Sequence, residues 1–417
     1  MNTLKTNLKF TVQYAKAFIK WIIIALAVGF LGGVVGSLFH ESVDYVTHLR
    51  TENPRLIYLL PAGGIIIAAI YRLFRRYGRI DTNRVLEAAR EHEKVPLIMA
   101  PLIFISTVIT HLLGGSAGRE GAALQLGGSI GYNVGRAFRL RENDMHLIVM
   151  AGMSSVFSAL FGTPLTAAFF SLEVVSVGVM HYAGLVPCII SSVTAYGTAQ
   201  LLGVAPVRFL DVEFCPFSAD TATKVIILSL LCAVVSIIFC TAIKKCEHYM
   251  EKLFKNVYIR GAIGGGIIVI LTLLVGTYDY NGAGMDIIQR AMEGEAETFA
   301  FALKILFTAI TISAGFKGGE IVPTFFIGST FGCAFSSMLG LSSGFGAAIG
   351  FVALFCSVVN CPVASVMLAM EVFGGEGMVF FAVACGVSYM MSGCFGLYKS
   401  QKILFSKLDD HVMEDDI

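Results

Sequence analysis

Charged side chains are scarce in this sequence of 417 residues: Asp, Glu, Lys and Arg together make up 14% of it. Soluble domains carry about 25%. Hydrophobic residues reach 56%, and mean hydropathy is +0.76. A soluble globule with so few polar side chains could not cover its own surface. The two or three soluble domains that the length alone would allow are therefore excluded, and the chain reads as an integral membrane protein. An excess of either charge sign is also missing. Lys plus Arg is 30 and Asp plus Glu is 29, for a net charge of +1, so nothing in the balance invites nucleic acid. Paired cysteines are missing too. The ten cysteines stand singly, mostly inside apolar runs, as at Cys232, Cys240, Cys333, Cys356 and Cys385. Without a CxxC pair they read as small buried hydrophobes rather than a zinc site or disulfide framework. No metal and no cofactor is expected. Finally, no clean cleavage site follows the first apolar stretch, Trp21 to Leu38, which is preceded by Lys5, Lys9, Lys16 and Lys20. That stretch reads as a membrane helix and not as a signal peptide.

Glycine, by contrast, is abundant, with 44 residues, and small residues let membrane helices approach closely. Apolar segments fall at 18–39, 56–74, 96–113, 121–135, 147–162, 164–180 and 182–203, then at 224–243, 261–278, 299–315, 322–338, 343–358, 362–373 and 376–393. Several are shorter than the ~20 residues that cross a bilayer core. Gly and Pro interrupt them, which predicts half-helices buried in protein or lining a cavity. The four N-terminal lysines place the N-terminus in the cytoplasm. The stretch 40–55, with Glu41, Asp44, Arg50 and Glu52, reads as an external loop, and Arg72, Arg75, Arg76 and Arg79 as cytoplasmic. A polar interval runs from Asp211 to Thr223. The tail after Tyr398 ends in Glu414-Asp415-Asp416-Ile417 and is too short for a regulatory domain.

An internal repeat carries more information than composition. Pro164 is followed nine residues later by Glu173, and Pro362 nine residues later by Glu371, an offset of 371 − 173 = 198. Gly118-Arg119-Glu120-Gly121-Ala122 is followed by Gly127 and Gly131. Gly319-Glu320-Ile321-Val322-Pro323 is followed by Gly328 and Gly332, an offset of 319 − 118 = 201. Two motifs in the same order at nearly the same spacing indicate a duplicated half. Seven apolar segments per half, an odd number, would make the halves antiparallel. Inverted repeats with interrupted helices point to a transporter or channel with its site near the midplane.

The motifs suggest what that site binds. In Gly114-Gly115-Ser116-Ala117-Gly118-Arg119-Glu120-Gly121 a glycine-rich turn leads into an apolar helix. The start of a helix offers free N–H groups and the positive end of its dipole, an arrangement that binds anions. The backbone around Gly118, Arg119 and Gly121 is a candidate anion cradle. Glu120 sits at the same mouth, where an ionised carboxylate would rival the anion and a protonated one would leave; pairing with Arg119 or capping are its bland alternatives. In the second motif Pro323 suits a first helical turn, which leaves the Ile321 and Val322 N–H groups as donors. Glu320 is a further membrane-embedded acid, and such acids are functional candidates by default; facing the helix dipole is its bland alternative.

GREGA, the later GEIVP and the two Pro…Glu segments together resemble the CLC family of chloride channels and proton-coupled anion antiporters, over nearly the whole membrane chain. The resemblance implies a fold class: an all-α integral membrane protein of two inverted helical repeats with broken and half-helices. It implies halide ions and protons as partners, a homodimer in the lipid bilayer with one pathway per subunit, and a bacterial-type plasma membrane location with both termini cytoplasmic. By the same resemblance Glu120 matches the gating glutamate, and Ile321 and Val322 match backbone donors. Tyr398, in Gly396-Leu397-Tyr398-Lys399-Ser400-Gln401, looks like the tyrosine that coordinates the central anion, and Thr82 matches the central serine of GSGIP. The expected organisation is a first repeat over 1–215, a second over 216–400 and a short tail over 401–417.

Some positions depart from the family pattern. Its proton-coupled chloride antiporters commonly carry two successive acids where this chain has Glu173-Val174. The GGE form and the missing proline after GREG are similar to the bacterial fluoride/proton antiporter branch. That branch typically has Thr at the position of Val322, and Met or Asn at that of Thr82. Chloride and fluoride both stay open, as does a passive, voltage- or pH-gated channel beside the antiporter. An intramembrane enzyme is the remaining class, since Ser154, Ser155, His111 and His181 are present.

Overall fold

The computed structural model describes residues 2–78, 80–91 and 93–408, with side chains from residue 11 onward. The side chains of Lys5 and Lys9, together with Arg79 and the acidic end Glu414-Asp415-Asp416-Ile417, lie outside the described residues. The first helix, α1 (Asn2–Glu52), is 51 residues long. The stretch 40–55, expected as an external loop, is mostly the continuation of this helix. No Gly or Pro interrupts it between Ser37 and Asn53. Two i,i+4 pairs, His40 with Asp44 at 2.9 Å and His48 with Glu52 at 3.4 Å, run along it. It stops only at Asn53-Pro54, where proline ends the helical ladder.

The other helices are α2 (Leu60–Leu73), α3 (Thr82–Arg90), α4 (Met99–Leu112), α5 (Glu120–Ala137), α6 (Glu142–Phe161), α7 (Pro164–Glu173) and α8 (Leu185–Leu201). After an irregular crossing come α9 (Ala219–Leu253), α10 (Val257–Val275), α11 (Met285–Met292), α12 (Ala300–Ser313), α13 (Ile321–Ser336), α14 (Ser343–Val359), α15 (Pro362–Phe373) and α16 (Met378–Met391). Both α3 and α11 fall outside the apolar segments because they are short and amphipathic. The polar interval ends earlier than expected: Ser218 Oγ accepts from the Thr221 N–H at 3.0 Å and starts α9 at Ala219. Two residues of β1 (Ser176–Val177) pair in parallel with β2 (Lys402–Ile403) and tie the C-terminal segment beneath α7.

Among the described residues, six spans are long and apolar enough to cross a membrane. Four of them, α1, the span of α2, α9 and α10, turn large exposed apolar side chains outward, such as Phe30 on α1, Ile238 on α9 and Leu274 on α10. Two of the six, α6 and α13, are instead buried along most of their length, together with α5 and α14. Glycine sets how closely they cross. A Cβ on Gly152 would stand 2.1 Å from the Gly127 carbonyl oxygen, and one on Gly350 would stand 2.1 Å from that of Gly328. Backbones meet there with no side chain between them.

The helices α7 and α15 are the expected half-helices. Ten residues give α7 a length of about 15 Å at 1.5 Å per residue, half of a ~30 Å bilayer core. Each follows a left-handed residue, Gly162 (φ 71°) or Asn360 (φ 57°), and has proline at its first position. Each carries in its last turn a glutamate that caps the start of the other. Glu173 accepts from the N–H groups of Val363 at 3.1 Å and Ala364 at 2.9 Å. Glu371 accepts from those of Leu165 and Thr166, both at 2.8 Å, and from Thr166 Oγ1 at 2.7 Å. The two helices therefore lie antiparallel, with their free donors satisfied across the pair.

Candidate functional site

The two glycine-rich motifs meet. The stretches 114–119 and 315–320, which lead into α5 and α13, run antiparallel. Gly118 N–H donates to the Gly319 carbonyl at 2.7 Å, and Gly319 N–H donates to the Gly118 carbonyl at 2.7 Å. The flanks repeat the exchange: Ser116 N–H donates to Thr311 Oγ1 at 3.1 Å, and Lys317 N–H to Thr110 Oγ1 at 3.3 Å. Glycine is required for this approach. A Cβ on Gly319 would stand 2.3 Å from the Gly121 nitrogen, and one on Gly118 would stand 2.7 Å from Glu120 Oε2 and 2.9 Å from Val322 Cβ.

Glu120, the first residue of α5, is 1% exposed. Its carboxylate folds back on the start of its own helix. Oε2 accepts from the Arg119 backbone N–H at 3.0 Å, and the Val322 backbone amide of α13 faces the same group. When ionised, this carboxylate therefore lies against the positive ends of two helices at once. Oε1 has no hydrogen-bond partner, and its nearest cation is Arg119 Nε at 3.7 Å. The rest of the Arg119 guanidinium turns away to α1, where Nη1 donates to Asp44 Oδ1 at 2.8 Å. Glu320, the residue before α13, is half-buried. Its Oε2 comes within 3.5 Å of where a Gly121 Cβ would stand, so this acid leans over the start of α5. Ile321 and Val322 are buried behind it.

Thr82 and Tyr398 come from neighbouring segments. Thr82 opens α3, which Asp81 caps by accepting from the Arg84 N–H at 3.0 Å. Thr82 Oγ1 accepts from Gln125 Nε2 of α5 at 3.0 Å. The Tyr398 segment is stitched to α3: Ser400 N–H donates to Asn83 Oδ1 at 3.1 Å, and Arg90 Nη1 donates to the Ser400 carbonyl at 2.5 Å. The Tyr398 hydroxyl is buried without a partner, within electrostatic reach of both Glu120 and Glu320. A cavity of about 730 Å³ is lined by Tyr398, Lys399, Lys244 and Glu247. Glu247 Oε2 and Lys399 Nζ pair across it at 2.7 Å. Beside Glu173, Val174 is fully buried in the apolar core.

Sequence reading missed Gln125, whose Oε1 is also buried and unpartnered. A lone amide inside an apolar helix was the available signal. Nor does the sequence single out Asp44 as the partner of Arg119, because the mixed charges around it suggest a loop. The serines and histidines weighed as enzyme groups do not meet. Ser154 Oγ contacts the Ala151 and Cys188 carbonyls and Ser191, Ser155 Oγ donates to the Gly152 carbonyl, and His111 Nδ1 contacts the Thr107 carbonyl.

Comparison with known proteins gives a consistent picture. The sequence model of the voltage gated chloride channel family matches residues 63–393. The chain is 35% identical over 395 residues to the chloride/fluoride channel protein of Pseudomonas syringae pv. tomato, covering 93% of this chain and 87% of that one. It is 25% identical over 389 residues to the H(+)/Cl(-) exchange transporter ClcA of Vibrio vulnificus, covering 84% and 81%. Its structure is similar to the crystal structure of a CLC-type fluoride/proton antiporter, with TM-score 0.90, 31% identity and coverage of 92% and 98%. A slow cyanobacterial Cl-/H+ antiporter shares the fold at TM-score 0.75 and 20% identity. With a family match over most of its length, and helices that fit an integral membrane protein of two inverted repeats, the chain belongs to the CLC family of voltage gated chloride channels and related transporters.

Proposed function

We propose that this protein carries halide ions, chloride and/or fluoride, across a membrane in exchange for protons, with Glu120 as the gate. The observation that carries this reading is the Glu120 carboxylate lying against the starts of both α5 and α13. An anion bound by those amides and an ionised Glu120 compete for one place. Protonation removes the charge that holds the side chain there and frees the place for the anion. The backbone around Gly118, Arg119, Gly121, Ile321 and Val322 supplies donors, Thr82 and Tyr398 supply hydroxyls, and Glu320 takes the proton on the opposite side of the bridge. The names of the similar proteins, an exchange transporter and a fluoride/proton antiporter among them, support this reading. No enzymatic activity is proposed.

The repeats divide at 1–215 and 216–400, followed by a tail at 401–417. Both termini face the cytoplasm of a bacterial-type cell, and two copies pair as a homodimer with one pathway each. A second reading, a passive channel gated by voltage or pH, is favoured by Val174, which offers no inner acid beside Glu173. Fluoride and chloride efflux from proteoliposomes, with and without an imposed pH gradient, separates the two. Halide efflux that drives protons uphill supports exchange. Halide efflux that leaves the internal pH untouched supports the channel, and no halide efflux at all contradicts both.

A further inference from the structure

Away from the opposed helix starts, the end of α2 and the start of α10 enclose a cavity of about 770 Å³. Its walls gather five cationic side chains from three segments: Arg72 and Arg75, Lys255 and Arg260, and Lys317 from the turn that leads into the second motif. One of the five is paired: Arg260 Nη1 contacts Glu251 Oε1 at 3.2 Å. Among the described residues the other four take part in no ion pair, although Asp81, Glu247 and Glu320 lie within electrostatic reach of Lys317. Two cations rest on ring faces instead, Arg72 over Tyr258 at 5.5 Å and Lys317 over Tyr71 at 4.5 Å. A ring face orients a cation without using up its N–H donors. The Nε of Arg260 is buried and has no hydrogen-bond partner among the described residues. A buried donor without a partner is costly, so the cavity is built for an acceptor that comes from outside the chain.

The surroundings say what brings that acceptor. Ile67, Ala68 and Ala314 form the apolar part of the wall. Beside the cavity, Ile65, Ile66 and Ile259 point outward from α2 and α10 with nothing covering them. Both helices belong to spans long and apolar enough to cross a membrane, and the cations stand at the ends of those spans. Basic pockets between membrane helices at this depth bind anionic lipid headgroups. We propose that the cavity holds the phosphodiester headgroup of an anionic phospholipid, with its acyl chains along the outer face of α2 and α10. Arg72, Arg75 and Lys255 supply the charge, and Arg260 Nε gains its acceptor. Lys317 stands two residues before Gly319, so a bound headgroup also braces the turn that carries Glu320.

The full-length protein, purified in mild detergent, is offered phosphatidylglycerol and phosphatidylcholine together, and retained lipid is counted by native mass spectrometry. Wild type is expected to retain phosphatidylglycerol in preference. The Arg75→Gln/Lys255→Gln double variant, altered at two exposed positions, is expected to lose the preference. The charge-preserving pair Arg75→Lys/Lys255→Arg is expected to keep it, which separates loss of charge from loss of fold. Equal retention of both lipids by wild type, or an unchanged preference in the Gln variant, overturns the proposal. Inorganic phosphate at matched ionic strength is expected to leave the preference in place. If it displaces the lipid as readily as added phosphatidylglycerol does, the site takes soluble phosphate and the lipid assignment fails.

Discussion

Gly118 and Gly319 each donate a backbone hydrogen bond to the other's carbonyl at 2.7 Å. This exchange sets how near the starts of α5 and α13 come to each other. Neither glycine has room for a side chain. Gly319→Ala puts a methyl 2.3 Å from the Gly121 nitrogen, which is backbone and cannot swing away. Overpacking of this kind costs about 1–3 kcal/mol. The variant should melt lower and lose halide flux. Gly266→Ala, where nothing stands within 4 Å, should match wild type in both. Thermal unfolding in detergent, followed by efflux from vesicles, checks the pair. Equal behaviour of the two variants would show that the close approach is not needed.

The exchanged caps of α7 and α15 make a second prediction. Glu371→Ala removes the acceptor of the Leu165 and Thr166 amides, and Glu173→Ala that of Val363 and Ala364. An orphaned buried donor costs about 1–3 kcal/mol, so either variant should lower the melting temperature by several degrees. Glu371→Gln, which keeps a carbonyl oxygen for the same amides, should fall between Ala and wild type. A ranking with Gln at or below Ala would show that the caps are not what the glutamates supply.

Much of this pairing was legible in the sequence, because the spacing from proline to glutamate recurs and glycine recurs with it. Pro164 and Pro362 announced helix starts, and Gly118 and Gly319 announced a place where backbone is bare. What spacing cannot convey is which partner each group meets. Glu173 looked like an acid lacking its neighbour, whereas its oxygens are engaged by the amides of a helix 190 residues away. The stretch around Asp44 looked like a loop because its charges sit in a short window. It is helical because no Gly or Pro breaks it, and Asp44 pairs with Arg119. Gln125 and the cavity pair of Glu247 and Lys399 were missed. A single amide, and charges at the end of a long helix, look the same whether or not a cavity lies beside them.

Ion selectivity follows from the donor set. In the proposed pathway, backbone amides and the Thr82 and Tyr398 hydroxyls suit a small monovalent anion. A multiply charged oxyanion needs more compensation when it loses water. Proteoliposomes should therefore pass fluoride or chloride and retain sulfate and phosphate. Sulfate efflux comparable to chloride efflux in the same vesicles would contradict this.

In the proposed exchange, proton supply falls to Glu320, because Val174 offers no acid and Glu320 leans over the start of α5. Glu320→Gln should slow proton movement more than halide movement. Parallel pH and halide electrode traces from one vesicle preparation give the ratio. An unchanged ratio would mean that the proton enters by another route.

The most direct test of the exchange mechanism is Glu120→Gln in vesicles that carry a halide gradient and a pH-sensitive dye. The amide mimics a permanently protonated carboxylate and has no charge to return to the helix starts. In wild type, an outward halide gradient should drive protons inward against their own gradient. In Glu120→Gln that uphill movement should vanish, and whatever halide flux remains should no longer respond to pH. If Glu120→Gln still moves protons uphill, Glu120 is not the gate.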